Sequence, residues 1–134
     1  MRIHNAKYRV YYEDTDAGGV VYYGNFLRFV ERARTDFLRE SGQSHTDLMK
    51  EGVGFFVVRK VEVEYLYPGR LDDIIEVKTE ITKIGRSSID MQQNCYNQNG
   101  VKLANVFVQI VFVVNEGDKI KSAKLPDNLV KHFS

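Results

Sequence analysis

Residues 11–34, YYEDTDAGGVVYYGNFLRFVERAR, join three kinds of sequence in one short run. Val10 to Tyr12 ends a β-rich segment. Glu13 to Gly19 is an acidic turn carrying Glu13, Asp14 and Asp16 and closing on the adjacent Gly18 and Gly19. From about Gly24 a helical pattern runs to Ser41 and stops at Gly42. Phe26, Val30, Ala33 and Phe37 recur at spacings of four, three and four, Leu27 and Leu38 widen the stripe, and charged residues cover most of the remainder. Asn25 is an N-cap by residue type. A strand that feeds an acidic turn and then a helix N-terminus is a place for chemistry. It holds carboxylates close to backbone N–H groups that have no intrahelical partner, and such N–H groups can polarise a carbonyl oxygen.

Working outward, KYRVYY (7–12) reads as a strand, and 43–51 as a short, weakly amphipathic helix or an irregular connection. From Gly54 the period changes to two. Residues 55–67 put Phe55, Val57, Val61, Val63, Tyr65 and Tyr67 on one face, interrupted by Arg59, and Pro68-Gly69 ends the strand. Strands follow at 73–84, 87–96 and 103–114. Gly85 breaks the chain between the first two, and Asn97 to Gly100 forms a hairpin turn between the last two. The strand at 103–114 is apolar at every even position and at most odd ones, which is the pattern of a central strand. A short helix begins near Pro126. The expected architecture is α+β: a five-stranded antiparallel sheet in hairpin succession, curled around one long central helix, in a single domain over 1–134. Apolar residues on both faces of several strands point to self-association.

Bulk composition narrows the function. The chain has 134 residues, 43% hydrophobic and 28% charged, which suits an ordinary globular domain. A net charge of +1 makes no electrostatic case for nucleic acid. The apolar run at 106–114 is too short for membrane insertion, and no signal peptide is expected. Cys95 is the only cysteine, so no intrachain disulfide can form and a reducing, cytoplasmic setting is expected. It shares a face with Ile89 and Met91 and reads as a small core hydrophobe. His4, His45 and His132 lack metal-ligand spacing and read as surface residues. Asp14 either holds the turn or orients Asp16. Glu31 reads as a partner for an arginine, and Arg59 as a paired buried or interface arginine. Phosphate loops and a nucleophile elbow are absent.

The string YEDTDAGGVVYYGNF followed by ERAR resembles the 4-hydroxybenzoyl-CoA thioesterase family of hotdog-fold proteins. Within it, the chain is most similar to the Tol-Pal-associated acyl-CoA thioesterases of the YbgC type. The likeness continues through FVVRKVEVEYLYPGRLDDIIEVKTEIT (56–82) to KLPDNLV near the end. It implies a hotdog fold, a homodimer or tetramer with active sites at the interface, and hydrolysis of a small or medium acyl-CoA. The family's catalytic aspartate falls on Asp16. Its carbonyl-polarising backbone N–H falls on Tyr23, with Gly24 beside it. Relatives commonly carry His where this chain has Tyr23; a backbone donor works with either side chain, whereas a role for an imidazole would be lost with Tyr. The CoA nucleotide would meet Arg86, Ser87 and Ser88. No cofactor or metal is implied, coenzyme A being part of the substrate. The carboxylate of Asp16 would attack the thioester directly or activate water. Two other readings fit the same resemblance: a thioesterase acting on acyl carrier protein, and a non-catalytic acyl-binding or scaffolding hotdog protein of the cell-envelope Tol-Pal system.

Overall fold

In the computed structural model, which describes residues 2–134, the apolar repeat after the acidic turn forms helix α1 (Asn25–Arg39). Its stripe differs from the expected one at two positions: Phe29 is wholly buried, whereas Leu27 is 39% exposed. Positions 26, 29, 30, 33 and 37 share one side of a 3.6-residue period, and position 27 turns toward the flank. Around α1 lie β1 (Ile3–Arg9), α2 (His45–Lys50), β2 (Phe55–Tyr65), β3 (Ile74–Ile84), β4 (Ser88–Tyr96), β5 (Lys102–Glu116), β6 (Lys119–Ser122) and α3 (Asp127–Phe133). Ser44 starts α2 with a capping box, accepting from the Asp47 N–H while the Asp47 carboxylate accepts from the Ser44 N–H.

All strand pairs are antiparallel, in the order β1-β3-β4-β5-β2, and α1 packs against β1, β3 and β4. This is the expected α+β arrangement, with two corrections. The sheet has six strands, not five. The short, wholly exposed β6 pairs with the end of β5, and four exposed residues without an apolar face leave no periodic signal. It lies on the side of β5 away from β2, because Val113 pairs with Phe55 on one side and Ser122 on the other. The second correction is to the hairpin succession. β2 and β3 are not neighbours; the 66–73 connection carries the chain from one edge of the sheet to the far side of β4.

Strand β2 also changes face along its length. Its register with β5 slips between Val58 and Lys60, leaving Arg59 as the extra residue of a bulge. Phe56 and Val58 therefore stand opposite the buried Phe112 and Ile110, while after the bulge it is Val61, Val63 and Tyr65 that stand opposite the buried Val108, Val106 and Ala104. The single face expected from Phe55 to Tyr67 is two half-faces joined at Arg59, whose side chain is exposed and not buried.

Under α1 the buried face of the sheet carries one polar cluster. Gln93, wholly buried, donates through Nε2 to the Val30 carbonyl and to Thr79 Oγ1, each at 3.0 Å, and accepts from Arg34 Nη1 at 2.9 Å. A buried amide so satisfied ties the middle of α1 to β3 and β4. Cys95 sits on the same sheet face, as expected. Burial pushes its thiol up to about 12, so the thiolate is scarce at neutral pH. The native protein should therefore leave an aromatic disulfide reagent unreacted at pH 8 and release one equivalent only on unfolding; prompt labelling of the native protein would contradict this burial. The histidines are less exposed than expected. The His4 side chain is 9% exposed and stacks on Phe37 at 4.7 Å, and His132 Nε2 lies 2.7 Å from the Phe37 carbonyl.

Candidate active site

The acidic turn is built on Asp14. Its side chain is buried, and Oδ2 accepts the Tyr11 N–H at 2.8 Å. Its carbonyl accepts the Tyr22 N–H at 3.0 Å and Asn25 Nδ2 at 2.8 Å. Of its two expected roles, holding the turn is the one these bonds perform. Asp16 is exposed. Its N–H donates to the Val20 carbonyl at 2.9 Å, and its Oδ1 accepts the Gly18 N–H at 2.9 Å. Gly19, at φ +75°, turns the chain back in the left-handed region that glycine adopts most readily. The 66–73 connection supports the turn: Leu71 N–H donates to Gly19 O at 3.1 Å and Val21 N–H to Gly69 O at 2.8 Å. Asp16 Oδ2 meets no donor among the described residues.

The start of α1 faces this turn without a side-chain cap. Gly24 takes the N-cap position in a helical conformation, and Asn25, expected there, is the first helical residue. Its amide is committed to the Asp14 carbonyl. Asn25, Phe26 and Leu27 donate their N–H groups to the carbonyls of Tyr22, Tyr23 and Gly24. The N–H groups of Tyr23 and Gly24 meet no acceptor among the described residues, and they stand at the positive end of the helix dipole. Asp16 and Tyr23 line one open cavity of about 350 Å3, together with Phe26, Tyr65, Leu66 and Tyr67. A carboxylate with an uncommitted oxygen and a residue with an uncommitted amide donor, Asp16 and Tyr23, thus line one largely apolar space, with the Gly24 N–H next along the chain, as attack on a carbonyl requires.

Tyr65 is the site residue that the sequence reading missed. Its hydroxyl donates to the Tyr23 carbonyl at 3.1 Å, and its ring packs 5.9 Å from Tyr23 and 6.0 Å from Phe26. Partial burial, then the neighbouring Tyr23 phenol, raises its pKa above the usual tyrosine value, so it stays a donor. Strand periodicity placed Tyr65 on an apolar face; no local signal says that its hydroxyl reaches the start of a helix forty residues earlier.

Arg86, Ser87 and Ser88 are not brought to this cavity within one chain. They form the β3–β4 turn, anchored through the main chain: Phe112 N–H donates to Ser87 O at 2.7 Å and Leu125 N–H to Arg86 O at 2.9 Å. The cavity lies near Tyr65, which pairs with Ala104 and thus aligns with Cys95 at the other end of β4. Ser88 and Cys95 are seven steps apart along the strand, roughly 24 Å at about 3.4 Å per residue. A second, more enclosed cavity of about 130 Å3 lies beside the far half of α1, lined by Phe37, Leu38, Phe56, Met91 and Ile110, with Arg34 and His45 at its wall. Desolvation lowers the pKa of both basic groups there. Glu31 also borders it; it is exposed, accepts from Thr35 Oγ1 at 3.4 Å and pairs with no arginine among the described residues. Among the described residues no three His, Cys, Asp or Glu side chains gather as metal ligands, and no helix is long and apolar enough to cross a membrane.

Residues 18–104 match the thioesterase superfamily. The chain is 46% identical over 125 residues to the acyl-CoA thioester hydrolase YbgC of Escherichia coli O6:H1, covering 93% of this chain and 91% of that one. A crystal structure of a probable thioesterase from Bartonella henselae is 35% identical and superposes with a TM-score of 0.84, covering 93% of this chain and all of the other. The 4-hydroxybenzoyl CoA thioesterase of Pseudomonas sp. strain CBS-3 is similar in fold, with a TM-score of 0.87 at 19% identity over 98% of this chain and 99% of that one. The helix wrapped by an antiparallel sheet is the hotdog fold that the resemblance implied, and by sequence and fold together the chain belongs to the thioesterase superfamily and is a thioester hydrolase.

Proposed function

We propose that this enzyme hydrolyses a small or medium acyl-CoA to the free acid and CoA, with Asp16 as nucleophile or general base and the Tyr23 N–H, joined by that of Gly24, as oxyanion donor. One observation carries the reading: Asp16, an exposed carboxylate with an uncommitted oxygen, and Tyr23, whose N–H is uncommitted, line the same cavity, and the uncommitted Gly24 N–H is the next along the chain. A thioester carbonyl seated there points its oxygen at the amides and its carbon at Asp16. In the nucleophilic route Oδ2 bonds to the carbonyl carbon, the C–S bond breaks, and the thiolate leaves to take a proton from water. A second water then opens the acyl anhydride. In the general-base route Asp16 takes a proton from water as its oxygen adds to the carbon, and returns that proton to the departing sulfur. Either way negative charge builds on the carbonyl oxygen, where one oriented N–H is worth about 3 kcal/mol.

The nucleotide end of the substrate calls for a second copy of the chain. β2 is an unpartnered edge strand that leaves Val57, Val58 and Val61 36%, 49% and 40% exposed, an edge suited to pairing. Two copies related by a two-fold axis pair their β2 strands antiparallel. The Tyr65 end of one then meets the Phe55 end of the other, and the partner's Arg86–Ser88 turn lies at the same end as Asp16. The guanidinium of the partner's Arg86 would meet a phosphate of CoA, and Ser87 and Ser88 would add hydrogen bonds.

The test is thiol release from short, medium and aromatic acyl-CoAs and from acyl carrier protein thioesters, with wild type beside Asp16→Asn. Turnover only of the carrier-protein esters would move the substrate from CoA to the carrier. The dimer reading has its own test. Val61→Asp sets like charges against each other across the axis and should convert a dimer to a monomer by light scattering, with turnover lost in parallel. A monomeric variant with undiminished activity would remove the shared-site arrangement.

A further inference from the structure

We propose that Tyr65 is a positioning residue for the oxyanion site: its hydroxyl clamps the peptide between Tyr23 and Gly24 and thereby orients and polarises the Gly24 N–H. The inference rests on the catalytic reading above and names a residue that reading does not use. It follows from peptide geometry. The Tyr23 carbonyl and the Gly24 N–H belong to one planar trans unit, so whatever holds the oxygen also holds the hydrogen. In the first turn of α1 carbonyls point up the helix and N–H groups point back out of its end. The Tyr23 carbonyl takes two donors, the Phe26 N–H at 3.3 Å and the Tyr65 hydroxyl at 3.1 Å. The Gly24 N–H at the other side of the same unit meets no acceptor among the described residues. Hydrogen bonds accepted by an amide oxygen strengthen donation from its own N–H.

The local sequence makes an outside clamp necessary. Gly24 has no Cβ to restrict its backbone, and no side chain caps the helix. The long helical bond from Phe26 alone would leave the peptide plane loosely held. Tyr65 reaches it from β2, a different element, and its ring is fixed by edge contact with Tyr23 at 5.9 Å and by Phe26 at 6.0 Å. The phenol therefore links the wall of the cavity to the amide donor.

Tyr65→Phe removes the hydroxyl and keeps the ring contacts. We expect kcat to fall about tenfold, a fraction of the roughly 100- to 1000-fold loss of an entire oxyanion donor, with KM held within about twofold. The Gly24 amide resonance in the 1H–15N spectrum of the ligand-free protein should move, with the melting temperature unchanged. A purely structural role would shift the melting temperature and leave the resonance and the kcat–KM split alone. Turnover that requires Asp16 but is indifferent to Tyr65→Phe, or a Gly24 resonance that does not move, overturns this inference and leaves the catalytic reading intact. Turnover indifferent to Asp16→Asn overturns the catalytic reading, and this inference with it.

Discussion

Asp16→Asn should lower kcat on the best acyl-CoA by roughly a hundredfold or more, as loss of a positioned acid–base or nucleophilic group does. Fold and substrate binding should persist. The carboxamide retains an oxygen at the place of Oδ1, so the Gly18 N–H, 2.9 Å away, keeps its acceptor and the turn its shape. Asp16 is exposed and enters no ion pair among the described residues, so the substitution strands no buried charge. What changes is the second oxygen. An amide neither attacks a thioester at a useful rate nor takes a proton from water. The measurement is steady-state thiol release, with calorimetric binding of CoA and thermal melting as controls. Unchanged kcat would remove Asp16 from the reaction, whereas loss of activity together with melting would make it a turn residue.

The largest effect on stability is expected from Phe37→Ala, about 3–5 kcal/mol in denaturant unfolding for a fully buried phenylalanine. Phe37 is wholly buried where three elements meet. His4 from β1 stacks on its ring at 4.7 Å, and Phe133 from α3 packs edge-on at 4.9 Å. Its own carbonyl lies 2.7 Å from His132 Nε2. Removing the ring opens a cavity under the C-terminal helix and leaves the buried face of His4 without its partner. The loss should appear as a lower midpoint at a constant denaturant slope. It should also speed hydrogen exchange in α3 ahead of the sheet, because α3 is short and held by few side chains. A loss under about 1 kcal/mol would mean that the site collapses around the gap instead of retaining it.

Much of the fold was legible because its signals are local. The i, i+3, i+4 spacing of Phe26, Val30, Ala33 and Phe37 marks a helix whatever it packs against. Alternation in 73–84 and 87–96 marks strands whose buried residues, Ile75, Val77, Ile81, Ile89, Met91 and Cys95, the structure confirms. The acidic turn was also legible, because Asp14, Asp16 and Gly19 act on their own backbone neighbours within a few residues. Errors arose where the decision was not local. β6 has no apolar face to announce it. The bulge at Arg59 turns the strand over between Val58 and Lys60, and an extra residue in a pairing is visible only beside its partner strand. Asn25 looks like a cap, yet its amide is drawn to the Asp14 carbonyl.

The sequence by itself determined the long helix and the main strands, the α+β class, the acidic turn leading into a helix N-terminus, and the resemblance that pointed to thioester chemistry. These depend on periodicity, turn chemistry and residue identity, which are properties of neighbours along the chain. Only the tertiary structure decided that β2 lies at the sheet edge beside β5, that Tyr65 donates to the Tyr23 carbonyl, and that Arg86–Ser88 stand at the opposite end of the sheet from Asp16. Each of these is a contact between residues far apart in sequence. It is selected by which buried faces close on α1, a choice made by the whole packed core and not by any single segment.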